Sequence, residues 1–420
     1  MKNFYEPGDV RLVKVLLTKS GRPYSVDIKA QLISASIFED IEEPSMYVEL
    51  LMQDSINLVQ DFPIIGEEIL DITYITPGRD KPTRLSFKIF SIEGTSVAPS
   101  SKASMYVIKA VSQIHFFNSV NISKSYNTVI SDMVEDILRQ IAYSTEKMSV
   151  RTYVEPTKGI IPITIPRMHP FAAIDMLRQK AVSLEYPTGG AFVFYENQYG
   201  IQFRSIEGLL TDGKKDKGSR IFTHAPNTSS DKERSQFAMR NIINYLHLGK
   251  FNTVSKLQGG LLNTEVQSFD ILTKEVNLDS YGLSETSRFF ISTDDKGKLP
   301  NTDDFISKYE KNYSSRFVVP KDTARGNDYI HQTLGLKNSF SLLINQNLIR
   351  VLVYGDNLLS VGDVIELQLP ETSGTTNKKT KDRLHSGNYL VTKLRHNITM
   401  EEGGKPKHTI SMDCTKIGYL

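Results

Sequence analysis

Apolar and polar positions alternate with a period of two from the N-terminus to about residue 115, the pattern of strands with one buried face. Val26, Ile28, Ala30 and Leu32 alternate with Asp27, Lys29 and Gln31. The phase then slips by one, so that Ile33, Ala35 and Ile37 carry the apolar positions. One extra residue in the register is what a β-bulge or a sheet-changing bend produces. Leu70, Ile72 and Tyr74 form a further set, as do Leu85, Phe87 and Ile89 against Arg84, Ser86 and Lys88. Turn formers lie between the runs: Pro44-Ser45, Pro63, Pro77-Gly78 and Gly94. About six or seven strands spaced this way predict a small antiparallel barrel or sandwich.

Near residue 120 the period changes. Val129, Ile130, Met133, Val134, Ile137, Leu138 and Ile141 recur at helical spacing, with Asp132, Glu135, Asp136, Arg139 and Gln140 opposite. That is an amphipathic helix. A second helix is expected after His169-Pro170, because proline suits the first helical turn. Its apolar side runs through Phe171, Ile174, Leu177, Ala181 and Leu184. A hairpin follows, Ala191–Glu196 with Tyr199–Ser205, turning at Asn197-Gln198.

Residues 211–236 and 284–328 are polar and read as loops or extensions. Between them, Asn252–Lys256 and Thr264–Leu272 flank Gly259-Gly260 in a hairpin pattern. A helix is expected to end near Asn345. Four closing strands follow, Leu348–Tyr354, Val364–Leu369, Asn388–His396 and Lys407–Cys414. The expected fold is α+β, mainly β, with two antiparallel β-barrel domains around a small helix–helix–hairpin module. The first barrel takes residues 1–118 and the α+β module 119–212. The second barrel takes 213–420, with a polar insertion at about 283–328.

Composition narrows the function classes. The 420 residues are 39% hydrophobic and 23% charged, ordinary for a folded chain and too apolar for disorder. Fifty Lys and Arg face forty-eight Asp and Glu, a net charge of +2. That balance argues against a dedicated basic nucleic-acid binder. The single cysteine, Cys414, forms no intramolecular disulfide and no thiolate cluster. The N-terminal stretch lacks the apolar core and cleavage site of a signal peptide, and no run approaches the roughly 18 apolar residues of a spanning helix. The expectation is a chain made in the cytoplasm, with no membrane insertion of its own.

Candidate chemistry is sparse. The histidines stand at His115, His169, His224, His247, His331, His385, His396 and His408, none in i, i+4 pairs. His396 and His408 lie on neighbouring expected strands, where ordinary strand histidines outweigh a metal or catalytic pair. Cys414 sits on an apolar strand face, as a buried inert thiol does. Glu39-Asp40-Ile41-Glu42-Glu43, Asp294-Asp295 and Asp303-Asp304 fall in expected turns, where solvated acids are the default. The basic runs Lys214-Lys215-Asp216-Lys217 and Lys378-Lys379-Thr380-Lys381-Asp382-Arg383 read as solvated loop tips. No phosphate loop and no nucleophile elbow is present. No catalytic, cofactor-binding or metal-binding residue is assigned, no cofactor is expected, and the chain is not expected to be an enzyme.

Two stretches carry a family resemblance. In the first, Ile165-Pro166 and the proline-led helix run into Ser183-Leu184-Glu185-Tyr186-Pro187-Thr188-Gly189-Gly190-Ala191-Phe192-Val193-Phe194-Tyr195. The second is Leu359-Ser360-Val361-Gly362-Asp363-Val364-Ile365 with Gly387-Asn388-Tyr389-Leu390-Val391-Thr392-Lys393-Leu394-Arg395-His396, closing in Lys407-His408-Thr409-Ile410-Ser411-Met412. With the order of elements over almost the whole chain, they resemble the baseplate hub proteins of contractile, T-even-type phage tails. The hub portion of type VI secretion spike proteins belongs to the same family.

The resemblance implies two barrels like that of the tail-tube protein, and a homotrimer whose barrels form a pseudo-sixfold ring. Such a ring joins a sixfold tube to a threefold spike. It implies the tail tube or a tube-initiator protein above, the central spike below, and baseplate wedge proteins as further neighbours. Each barrel would continue its neighbour's sheet by edge-strand pairing. The enclosed channel would pass DNA transiently and without sequence preference. The location implied is the virion tail baseplate, assembled in the host cytoplasm. The rival readings are a hub of another contractile injection system and a tail-associated cell-wall hydrolase. The long loop Glu371–Ser386 and the 283–328 segment have no assigned role.

Overall fold

The computed structural model describes residues 6–19, 24–55, 58, 62–77, 79–97, 103–143, 151–186, 191–215, 220–224, 239–249, 252–282, 308, 315–321, 330–344, 347–371, 382, 385–401 and 404–416. Strands open the chain: β1 (Arg11–Thr18), β2 (Ser25–Asp27), β3 (Leu32–Asp40), β4 (Tyr47–Asp54), β5 (Ile69–Ile75), β6 (Thr83–Val97) and β7 (Ser104–Ser112). A middle section follows, with α1 (Gln113–Phe117), β8 (Ile122–Thr128), α2 (Ile130–Tyr143), β9 (Thr152–Val154) and β10 (Ile161–Met168). It continues through α3 (Pro170–Lys180), β11 (Phe192–Asn197), β12 (Gly200–Ser205) and α4 (Ile206–Lys215).

The remainder holds β13 (Ile221–Thr223), β14 (Ile242–Gly249), α5 (Thr253–Gln258), β15 (Asn263–Asp270), β16 (Val276–Gly282) and β17 (Ser315–Lys321). It ends with α6 (Ile330–Ile344), β18 (Asn347–Tyr354), β19 (Val364–Gln368), β20 (Gly387–Met400) and β21 (Pro406–Lys416). The fold is α+β and mainly β, as the alternation of the sequence implied. Among the described residues, no helix is long and apolar enough to cross a membrane.

Several local expectations meet a different outcome. The period-2 run at 26–32 is broken by a 3-10 turn at Lys29–Gln31. The expected phase slip appears as an extra residue, Ile33, between the pairs Leu32–Met52 and Ser34–Leu51. Residues 253–258 form a helix, not a hairpin strand. The Asn252 side chain caps it by accepting from the Ser255 N–H at 3.1 Å, a local bond that a five-residue apolar count does not register. The polar stretches also hold structure, since α4 reaches Lys215 and β17 lies parallel to β15. The β11–β12 turn is centred one residue later than expected, with Asn197 opposite Gly200.

Two strand sets in one sheet have the same spatial order. The first runs β3-β4-β7-β6-β5-β1 and the second β14-β18-β21-β20-β19-β13. Each follows chain order in the same permutation. The register repeats as well. Ile89–Ala110 and Ser91–Lys109 leave Phe90 over, just as Val391–Cys414 and Lys393–Asp413 leave Thr392 over. Ile33 is left over on β3, and Ile243 on β14 between Ile242–Val353 and Asn244–Leu352. Bulges at matching positions mark one backbone plan shared by β3–β7 and by β14 with β18–β21, whereas β13 runs parallel to β19 where β1 runs antiparallel to β5. The second set closes on itself, because Thr223 of β13 bridges Asn241 beside β14.

Three buried clusters underlie this arrangement. One is built from β1 to β7, including Leu17, Ile37, Leu50, Ile72, Tyr74, Phe87 and Ile108. A second joins Val351, Val353, Ile365, Leu367, Leu390, Ile410, Met412 and Cys414 with Tyr195 and Leu209 of the middle section. The third packs α2 and α3, through Met133, Ile137, Ile174 and Leu177, onto Phe194 and Phe203. Burial of this kind contributes roughly 25 cal/mol per Å² of apolar surface. The clusters share a strand: Leu390 and Leu394 of β20 fill the second, while Ile398, eight residues on from Leu390, fills the first.

Candidate assembly interface

β20 is long enough to serve both strand sets. Its first part pairs with β19, through Leu390 opposite Val364. Beyond the Thr392 bulge it leaves β19 and pairs with β3, from Lys393–Asp40 to Thr399–Ser34. The bulge supplies the change of direction that lets one strand leave a sheet and join the next. The first and second sets, with β2 added beside β1, therefore form one continuous thirteen-stranded sheet.

Side chains reinforce this seam. Lys393 Nζ lies 2.7 Å from the Asp40 carboxylate. Arg395 donates to the Ser36 hydroxyl at 2.9 Å and places its guanidinium 5.2 Å from the Phe38 ring centre. The half-exposed ion pair contributes little, on the order of 0.5 kcal/mol. The main-chain ladder and the burial of Ile37 and Ile398 carry the junction.

A second clamp lies in the segment Asp356–Val361, which precedes β19. Asn357 is buried; it accepts from the Thr76 hydroxyl at 2.8 Å and donates to the Lys81 carbonyl at 3.2 Å. Arg79 donates to both Asp356 oxygens, at 3.1 and 2.5 Å. Glu39, only 2% exposed, accepts from the Ser360 hydroxyl at 2.6 Å, the Val361 N–H at 2.9 Å and the Gln198 N–H at 3.3 Å. Burial pushes its carboxyl up to about 7, against those donors. Gln198 Nε2 donates to the Leu359 carbonyl at 3.0 Å, and Asn197 Nδ2 to the Val361 carbonyl at 3.2 Å. Nearby, Glu196 accepts from the Ser112 hydroxyl at 2.7 Å and the Met46 N–H at 3.1 Å, with its carboxyl also raised to about 7 by burial.

These polar residues bind the β11–β12 turn to both strand sets. Each buried carboxylate occupies backbone N–H groups that have no ladder partner, and losing one would leave those donors unpaired at roughly 1–3 kcal/mol. The Leu359–Ile365 motif ends this segment. Gly362 holds a φ of +89°, and a Cβ there would collide with the Tyr195 hydroxyl.

The sequence-level candidates resolve as follows. His396 and His408 come together, Nδ1 to Nε2 at 3.0 Å, both buried. Burial drives His396 down to about 4 and His408 well below its usual value. The pair packs on Tyr74, with the His408 ring edge-on at 5.6 Å. Cys414 is buried on the second core, and burial pushes its thiol up. Among the described residues, no three His, Cys, Asp or Glu side chains converge as a metal site. Glu39 is the correction: it is not a solvated turn acid. The signal was present, because Glu39 continues the Ile33, Ala35, Ile37 phase onto the same buried face. Nothing comparable marks Asn357. Asp294-Asp295, Asp303-Asp304, Lys378–Lys381, Arg383 and Pro187–Gly190 lie outside the described residues.

No family model and no curated protein matches this sequence. Solved structures do match its fold. The tail protein from Neisseria meningitidis MC58 superposes with a TM-score of 0.57 at 8% identity, covering 96% of each chain. The 43 kDa tail protein of prophage MuSo2 from Shewanella oneidensis gives 0.54 at 9% identity, covering 97% of this chain and all of that one. Identities this low establish the fold. Over nearly its whole length, this chain has the architecture of those two tail proteins.

Proposed function

We propose that this chain is the structural hub of a contractile phage tail baseplate. It acts as a homotrimer that joins a sixfold tail tube to a threefold central spike around the DNA channel. The observation that carries this reading is the register-level repetition of two strand sets in one chain, already joined edge to edge through β3 and β20. A chain with two equivalent units reconciles sixfold contacts on one side with threefold contacts on the other. The fold shared with two tail proteins supports placing it in a virion tail.

On this reading the chain does no chemistry. The buried carboxylates and histidines hold elements together, and each is engaged with a partner inside the fold. Wedge proteins remain further neighbours, and assembly takes place in the host cytoplasm.

The test is single-particle electron microscopy of the chain, alone and co-expressed with the spike and tube proteins encoded beside it. A threefold ring with an open channel that binds both is expected. A monomer that binds neither overturns the proposal. Peptidoglycan turnover that disappears in an acid-to-amide variant would favour the hydrolase reading instead.

A further inference from the structure

β15, β16 and β17 form a sheet of their own, separate from the thirteen-stranded one. β15 is the central strand, antiparallel to β16 and parallel to β17. α6 packs on one face. There Asn338 Nδ2 donates to the Thr264 hydroxyl at 3.3 Å, and the Tyr281 ring lies against Gly335. The two outer strands differ as edges. In β17, Pro320 offers no N–H, and Arg316 and Lys321 carry charge; proline and charge are the usual means of blunting an edge strand. β16, with the sequence Val-Asn-Leu-Asp-Ser-Tyr-Gly, has neither proline nor lysine.

The turn fixes the phase of β16. The Asp270 N–H donates to the Glu275 carbonyl at 2.9 Å, so Ser268–Asn277 and Val266–Asp279 are the next hydrogen-bonded pairs. Val276, Leu278 and Ser280 fall between them, and their N–H and C=O groups point away from β15. Among the described residues, no strand lies on that side. Every residue from Ile271 to Leu278 is exposed, as is Ser280. The hairpin tip is nonetheless held in place, because the Asp270 carboxylate accepts from the Leu272 and Thr273 N–H groups at 2.8 and 3.2 Å. Side chains sort by face. Val276 and Leu278, both 59% exposed, lie on the face away from α6 with Phe269 and Val318, at 38% and 62%. Glu275, Asn277 and Asp279 alternate onto the other face, so two carboxylates border the open edge there.

We propose that β16 takes up an extended segment of a different protein as a fourth, antiparallel strand of this sheet. An alternating row of outward N–H and C=O groups is satisfied as a set by another extended backbone, which is the chemistry of strand addition. The incoming strand is apolar on the side of Val276 and Leu278 and basic on the side of Glu275 and Asp279. Opposite charges across a strand pair are favourable, and like charges directly opposed are not. That rule also disfavours a second copy of this chain, because antiparallel self-pairing of β16 about Asn277 sets Glu275 opposite Asp279. The blunted β17 edge is no better an occupant. The contact is separate from the β3–β20 seam and from the way copies of the chain assemble.

The test uses the full chain and a labelled synthetic peptide of about eight residues in which valine alternates with lysine. A valine–glutamate peptide and a glycine–lysine peptide are the controls. The valine–lysine peptide is expected to bind at least roughly tenfold tighter than either control. Hydrogen exchange should slow in residues 276–280 and stay unchanged in β17. Ser280→Pro removes one outward N–H and leaves the ladder to β15 intact, so it should weaken that peptide roughly tenfold. The Glu275→Lys/Asp279→Lys double variant should invert the preference toward the valine–glutamate peptide, a gain that a misfolded chain does not produce. Equal binding of the glycine–lysine peptide, or binding that Ser280→Pro leaves unchanged, reduces the contact to surface charge and overturns the proposal. So does a wild-type chain that binds no peptide, or slowed exchange that falls outside β16. Protection of β16 that rises with the concentration of the chain alone assigns the edge to a second copy and overturns the choice of a different protein.

Discussion

Glu39 of β3 and Ser360, 321 residues later in the chain, are joined by a 2.6 Å hydrogen bond with no solvent access. The contact ties the first strand set to the segment leading into β19. It gives this junction a defined dependence on pH.

The Glu39 carboxyl titrates at about 7 when folded and 4.5 when free. As pH rises, the unfolded chain releases this proton first, so stability is fullest below pH 4.5 and declines up to about 7. The decline is at most roughly 3 kcal/mol. Glu39→Gln is expected to remove it. Denaturant midpoints at about pH 5 and about pH 8 should differ less in the variant than in wild type. An unchanged difference would show that Glu39 is solvated.

His396 has the opposite sign. Its folded value of about 4 lies below the 6.5 of the free ring. Its stability contribution is complete above 6.5 and fades as pH falls toward 4, again by roughly 3 kcal/mol. His396→Phe should flatten this acid limb. It should also cost about 1–3 kcal/mol at neutral pH, because His408 loses its ring partner. Urea unfolding across the acid range is the measurement; an acid limb as steep as wild type would count against the buried neutral pair.

At Gly362, alanine must hold φ at +89° and meet the Tyr195 hydroxyl. Overpacking and strain together should cost about 2–4 kcal/mol. Tyr195→Phe removes the obstructing oxygen, so the double variant should recover part of the loss. A coupling of about 1 kcal/mol or more in the double-mutant cycle is expected; simple additivity would place the cost in the backbone alone.

Ile398 tests which core the end of β20 serves. It is fully buried among residues of the first strand set, so Ile398→Ala should cost about 2–5 kcal/mol. Hydrogen exchange should show the loss of protection in β3 and β4, not in β18. Thr399→Ala, on the half-exposed neighbour, should stay within about 0.5 kcal/mol. Loss confined to β18 would assign the end of β20 to the second core.

Much of the fold was legible because periodicity reports burial locally. The alternation at Leu70–Tyr74 and Leu85–Ile89 locates β5 and β6. The spacing of Val129 to Ile141 locates α2, and Pro170 locates the start of α3. The approach of His396 to His408 followed from two adjacent strands. Even the slip at Ile33 was visible, as a change of phase at the start of β3.

The rest depended on which strand lies beside which. Sequence periodicity is the same whether β20 pairs only with β19 or crosses to β3, because the alternation of side chains ignores the identity of the neighbour. The duplication resides in backbone register, where Phe90 and Thr392 occupy equivalent bulges although their side chains share no chemistry. Asn357 and Glu39 became junction residues only when distant segments enclosed them and left backbone N–H and C=O groups without ladder partners. The sequence by itself determined most of the elements and their buried faces. The tertiary structure alone decided the seam, since main-chain hydrogen bonds between strand edges carry almost no side-chain signature.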